Sequence, residues 1–133
     1  MFWLTRIRAD SMAPALPDGS VVLTRSLSRA APLQRGDIVI LMSHEYGERM
    51  VKRIIGLPGE SVTIRTGVVF IDGHMLPEAY ASPCVFSDTY RAPPGHYFLL
   101  GDHREASSDS RTWRDPYIAR EAIIGRVVAW PWA

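Results

Sequence analysis

Short runs of β-branched, aliphatic and aromatic residues recur along the chain, and Gly, Pro, Asp or Ser separates them. The runs predict strands near 3–8, 20–25, 37–42, 49–56, 61–65, 68–72, 74–76, 96–100 and 123–129. In "VVFIDGHML", Asp72-Gly73 stands between two apolar stretches, the strongest short hairpin signal. "LPDGS" (16–20), "QRGD" (34–37) and "GLPGE" (56–60) read as turns, with Gly supplying positive φ and Pro presetting φ. Helical periodicity is weak everywhere. Its best candidate is a short turn in "DPYIAREAI" (115–123), with Asp115 as cap and Pro116 at the first helical position. Residues 77–95, "PEAYASPCVFSDTYRAPPG", form one long irregular stretch, a length usually kept for function or mobility. The predicted fold is all-β: mainly antiparallel strands, short hairpins, and at most one or two short helices in a single domain over 1–133.

One segment breaks the pattern. In "RMVKRIIGLPGE" (49–60) the apolar residues read as a buried strand, yet Lys52 and Arg53 lie in its middle. Alternate residues share a face, so Met50, Lys52 and Ile54 point one way and Val51, Arg53 and Ile55 the other. Each cation has apolar neighbours on its own face. An ammonium held there loses solvation, and its pKa falls. A neutral lysine accepts a proton from a hydroxyl, so a serine beside it becomes a usable nucleophile. Arginine keeps its proton, which makes Lys52 the candidate base and gives Arg53 a carboxylate partner instead. The simpler alternative has both stems running along an edge strand with their charges in water.

Two further segments carry more polar and reactive groups than a packed β fold needs. In "RADSMAPALPDG" (8–19), Ser11 follows a strand and precedes Met12, Pro14 and Pro17, a rigid, extended setting that exposes a hydroxyl at a strand end. Taken alone, Ser11 equally well opens a turn. In "LLGDHREASSDSR" (99–111), Asp102, Asp109, Arg104 and Arg111 suit a buried ion-pair lattice, and a serine there can orient the lysine amine. A solvated Ser/Asp turn is the plainer reading.

Composition narrows the choices. Of 133 residues, 47% are hydrophobic and 22% charged, ordinary for a globular protein. A net charge of +1 makes no electrostatic case for nucleic acid. The single cysteine, Cys84, has no internal disulfide partner, and no Cys/His spacing suggests a metal. His44, His74, His96 and His103 are scattered and read as surface or satisfied histidines. No apolar run approaches the roughly 18 residues of a membrane span, the longest being "IVILM", so the chain as it stands is expected to be soluble.

In this order, the segments resemble bacterial signal peptidase I and its relatives, the S26 peptidases with a Ser-Lys dyad. "SMAPALPDG", "RGDIVIL", "VKRIIGLPGE" and "GDHREASSDSR" each look like one of the family's blocks, and together they span 11 to 111. The resemblance implies a signal-peptidase/LexA-like β fold. It makes Ser11 the nucleophile, Lys52 the general base, and Ser107 the serine that hydrogen-bonds the lysine amine. Asp109 and Arg111 match the structural pair beside the site, while Met12, Pro14, Arg53, Asp102 and Arg104 support it. The backbone N–H of Ser11 would hold the oxyanion. Some members add a serine hydroxyl two residues before the nucleophile, where this chain has Ala9. Ala15, His103 and Ala106 also depart from the family's usual Thr, Asn and Asn.

The implied activity is serine endopeptidase cleavage of signal or leader peptides from exported preproteins after small residues, of the Ala-x-Ala type. It needs no metal or organic cofactor. The substrate would lie extended beside the strand leading to residues 8–11. Three alternatives remain: a specialised peptidase with one client, such as a pilin or a maturing metalloenzyme; a self-cleaving repressor, for which only ten residues precede Ser11; and a degenerate homologue that binds leader peptides without cutting. Family members usually carry one or two N-terminal membrane helices and work on the extracytoplasmic face of the plasma membrane. The expectation that follows from the resemblance is a chain separated from such an anchor or working without one. Phe2, Trp3, Trp130 and Trp132 are candidates for contact with a membrane surface.

Overall fold

The computed structural model describes the backbone of residues 1–132 and the side chains of residues 1–129. Strands β1 (Phe2–Arg6), β2 (Val21–Ser26), β3 (Ile38–Ser43) and β4 (Glu48–Gly56) lead into β5 (Ser61–Arg65), β6 (Val68–Ile71) and β7 (His74–Met75). They are followed by β8 (Asp88–Arg91), β9 (His96–Leu100), β10 (Tyr117–Ala119), a 3-10 turn (Arg120–Ala122) and β11 (Ile123–Trp132). Every pairing is antiparallel. Seven strands form one sheet in the order β1-β2-β11-β3-β4-β9-β10, and four form a second in the order β7-β6-β5-β8.

Turn chemistry sets the small sheet. Asp72 and Gly73 have φ of 48° and 84° between the paired residues Ile71 and His74. Thr66 and Gly67, at 47° and 82°, join Arg65 to Val68 in the same way. Both are two-residue loops with positive φ at each central position, the geometry that matches strand twist. Val62, Ile64, Val69 and Ile71 of this sheet then pack on Ile55, Phe98 and Leu100 of the larger one.

Two sequence expectations fail. The irregular stretch 77–95 contains β8, which pairs with β5 from Ser61↔Arg91 to Ile64↔Asp88. Its four residues, "DTYR", have a single half-buried position, Tyr90, so no apolar alternation announces the strand. The turn expected to be helical at 115–123 is instead β10 followed by the short 3-10 turn. Asp115 Oδ1 accepts the Tyr117 N–H at 3.0 Å, which starts a strand rather than a helix. Pairing of Tyr117–Ala119 along β9 overrides a weak helical pattern.

Two of the large sheet's open edges flank one groove. β1 is one of the two terminal strands. β4 pairs with β3 from Glu48 to Arg53, but β9 meets β4 only from Arg53 to Gly56. Residues 48–52 thus have a strand partner on one side alone. A groove of about 770 Å³ lies between these edges, lined by both strands and by Ser11, Met12 and Ile40. Its floor belongs to a core cluster of Ile7, Met12, Leu16, Val22, Ile38, Ile40 and Val127. Among the described residues, no helix is long and apolar enough to cross a membrane.

Candidate active site

Ser11 sits on a tight turn, not in the extended segment expected from its prolines. The Ala13 N–H donates to Asp10 O at 3.0 Å, the Leu16 N–H donates to Met12 O at 2.8 Å, and the Ala13–Pro14 peptide is cis. Met12 and Leu16, both fully buried, anchor the turn in the core beneath the groove. Ala9 enters the turn at φ 67°, and its N–H is held by Asp18 Oδ1 at 2.7 Å. The Ser11 N–H has no acceptor among the described residues, while its carbonyl takes the His103 N–H at 2.9 Å.

Lys52 reaches this turn from β4. Its strand face is shared with Ile54 and, across the β3 register, with Val39 and Leu41, all fully buried. Only 5% of Lys52 is exposed. Its Nζ lies 2.8 Å from Ser11 Oγ, a hydrogen bond between residues 41 positions apart. Burial pushes the amine below its ordinary pKa of 10.5. The Asp109 carboxylate works against that shift, the Arg111 guanidinium adds to it, and Asp102 works against it.

Ser107 is buried next to this pair, and its Oγ has no hydrogen-bond partner among the described residues. The bond to the lysine amine implied by the resemblance is therefore not formed in this structure. Gly101 lies against both serines. A Cβ there would overlap the Ser107 hydroxyl and stand 2.6 Å from the Ser11 carbonyl oxygen.

Three arginine–carboxylate pairs frame the loop that carries Ser107. Arg53 grips Asp102 through Nε and Nη2 at 2.9 and 2.7 Å, donates to Gly36 O at 3.0 Å, and stacks on Tyr80 with 3.9 Å to the ring centroid. Arg111 holds both oxygens of Asp109 at 2.8 Å, and Asp109 Oδ2 also accepts the Gly101 N–H at 3.0 Å. Arg104 takes neither aspartate. Its partner is Glu78, at 3.1 and 2.6 Å, while its Nε donates to Gly101 O at 2.8 Å. Ser82 completes this side: its Oγ accepts the Arg104 N–H at 2.9 Å, and its own N–H donates to Asp102 O at 2.9 Å.

Of the four residues expected in the lattice, Asp109 and Arg111 pair with each other, while Asp102 and Arg104 take partners from elsewhere. Arg53 and Glu78 come in from outside the segment. Glu78, Ser82 and Gly101 were not singled out in the sequence. Glu78 and Ser82 lie in the long stretch before β8, where nothing in the local pattern marks them. Gly101 carried a readable signal, a glycine closing a buried strand directly before an aspartate.

A buried amine touching a turn-borne serine, with an open groove alongside, is a recognisable arrangement. The model of the family described as "Signal peptidase, peptidase S26" matches residues 1–132. The chain belongs to that family. It is 32% identical over 133 residues to a probable signal peptidase I-1 of Synechocystis sp., covering 92% of this chain and 67% of that one. It is 35% identical over 138 residues to the signal peptidase I of Leptolyngbya laminosa, covering 94% and 67%. A second Synechocystis relative, a probable signal peptidase I-2, is spanned over 62% of its length. Among solved structures, a signal peptidase I from Enterococcus faecalis superposes with a TM-score of 0.67 at 31% identity, covering 74% of this chain and 98% of that one. The antiparallel β architecture is that of the signal peptidase family.

Of the terminal aromatics, Phe2 is exposed, whereas Trp3 is half-buried, packs near Gly125 and lines the groove. The side chains of Trp130 and Trp132 lie outside the described residues.

Proposed function

We propose that this protein is a serine endopeptidase that removes signal or leader peptides from exported preproteins, with Ser11 and Lys52 as a catalytic dyad. The observation that carries the reading is the 2.8 Å contact between a buried amine and the Ser11 hydroxyl. With the amine neutral, the Ser11 O–H donates to Nζ. Lys52 then takes the proton as Oγ attacks the scissile carbonyl, and it protonates the departing amine. Water, deprotonated by the same lysine, resolves the acyl-enzyme.

The free Ser11 N–H is the oxyanion donor in this scheme. Ala9 offers no hydroxyl as a second donor, a loss of about 3 kcal/mol against a site that has one. Ser107 orients the amine once Lys52 turns toward it, which gives its buried, unpartnered hydroxyl a role.

The substrate enters extended, between the open edges of β1 and residues 48–52, adding main-chain hydrogen bonds as a strand does. Ala-like side chains at the first and third positions before the cut follow from the family resemblance. Met1, Phe2 and Leu4, exposed on and beside β1, support contact with a membrane surface, and the extracytoplasmic side follows from the family resemblance alone.

The test is incubation of the wild type, Ser11→Ala and Lys52→Ala with a purified preprotein. Wild-type cleavage after a small residue, abolished in both variants, is the expected result. Equal behaviour of all three proteins ends the proposal.

A further inference from the structure

The groove carries cations that nothing in the fold neutralises. Arg6, Arg8 and Arg49 line it, against one acidic residue, Glu48, and all four are exposed. Elsewhere the guanidinium groups that support the site are paired: Arg53, Arg104 and Arg111 each hold a carboxylate. Arg6, Arg8 and Arg49 take part in no ion pair among the described residues. The whole chain carries a net charge of only +1, so three unpaired guanidinium groups against one carboxylate make the groove locally positive.

Their placement is directional. Arg6 and Arg8 approach along β1 and the segment after it, five and three residues before Ser11. Arg49 approaches from the facing edge, three residues before Lys52, on the strand face of Val51, which also lines the groove. At about 3.3 Å per extended residue, the arginine backbones stand within about 10 to 17 Å of the dyad residues along their own strands. A peptide lying between the two edges therefore passes these cations about three to five residues from its scissile bond.

We propose that the groove selects peptides bearing a carboxylate side chain about three to five residues from the cleaved bond, recognised by Arg6, Arg8 and Arg49. This rests on the peptidase reading and narrows its substrate class. Arginine suits the task, because its fixed fork of donors meets a carboxylate bidentately and stays charged at any working pH. An anionic lipid headgroup offers similar chemistry, but these side chains line the groove that opens on Ser11. The strand edges flanking them fit an extended backbone.

The experiment compares peptides with Ala at the first and third positions before the cut, carrying Asp, Asn or Lys at one further position stepped along the chain. Cleavage is measured with the wild type, and binding by fluorescence anisotropy with Ser11→Ala. At low ionic strength the best Asp peptide should exceed its Asn counterpart about tenfold in kcat/KM and in affinity, since exposed pairs are individually weak and add. The advantage should shrink as salt is raised. In the triple variant Arg6→Gln, Arg8→Gln, Arg49→Gln the Asp and Asn peptides should become equivalent. With the three arginines changed to Glu, the Lys peptide should be preferred.

Equal cleavage of Asp and Asn peptides by the wild type overturns this inference and leaves the peptidase reading standing. So does an Asp preference that survives the triple substitution. Loss of binding to phosphatidylglycerol vesicles in the triple variant, with peptide selectivity unchanged, assigns the arginines to lipid and also overturns it. Selective binding by Ser11→Ala without any wild-type cleavage instead sinks the peptidase reading and keeps the carboxylate site.

Discussion

Gly101 and Ser107 are packed so closely that a single methyl group on the glycine would occupy the position of the serine hydroxyl. The same methyl would press on the Ser11 carbonyl oxygen, 2.6 Å away. Gly101 follows a buried strand, and its own N–H and C=O are tied to Asp109 and Arg104. The backbone therefore has little room to retreat. Gly101→Ala is expected to cost about 2 kcal/mol of stability by overpacking. It should lower kcat at least about tenfold, because a displacement near 1 Å at the reacting groups is enough for that. Thermal melts and steady-state kinetics on a preprotein check both figures. Wild-type activity in a destabilised variant would show that the contact matters to packing alone.

Ser107 separates stability from activity in the opposite sense. A buried hydroxyl without a partner costs about 1–3 kcal/mol relative to one that is bonded. Ser107→Ala removes that burden and should leave the melting temperature unchanged or raise it. Activity should nevertheless fall by about a hundredfold, as when a general base loses its orientation. A melting temperature several degrees lower would mean the hydroxyl is bonded in the resting enzyme.

Lys52 predicts a pH signature. Its pKa is lowered on folding, chiefly because burial penalises the charged form. The penalty is absent above the unfolded value of 10.5, grows as pH falls below it, and is complete once pH passes below the folded value. Lys52→Met should therefore be inactive yet more stable than the wild type at neutral pH. The stability difference should close as pH approaches 10.5. Chemical denaturation over a pH series measures it. In the wild type, kcat/KM should rise with pH through an apparent pKa below that of free lysine. An acidic limb at the free-lysine value would mean a solvated amine.

Glu78 is predicted to be as sensitive as any residue beside the dyad. Its side chain and that of Arg104 are 8% and 2% exposed, and the pair is bidentate. Removing one partner strands a buried charge, so Glu78→Ala should cost about 3–5 kcal/mol. The loop that Arg104 ties to Gly101 should loosen with it, and activity should fall in parallel. Glu78→Leu combined with Arg104→Met should recover much of the stability, because apolar replacement of a buried pair is often neutral. A Glu78→Ala loss below about 1 kcal/mol would place the pair in water, as for exposed ion pairs.

The chain announces much of this architecture before any contact is known. Period-two alternation and turn chemistry mark most strands, and Asp72-Gly73 marks a hairpin that the structure contains. Lys52 stands out because a cation between apolar neighbours contradicts its own strand, and Ser11 because a family-like block surrounds it. Each of these signals is local, carried by residues a few positions apart. Strand β8, the partnership of Glu78 with Arg104, the packing of Gly101 on Ser11 and the arginines facing one another across the groove are another matter. They join segments tens of residues apart, as the 26 positions between Glu78 and Arg104 illustrate. No periodicity spans such a gap, since a strand repeats every two residues and a turn ends within four. Only when the sheets close does burial remove water from the amine and choose which carboxylate meets which guanidinium.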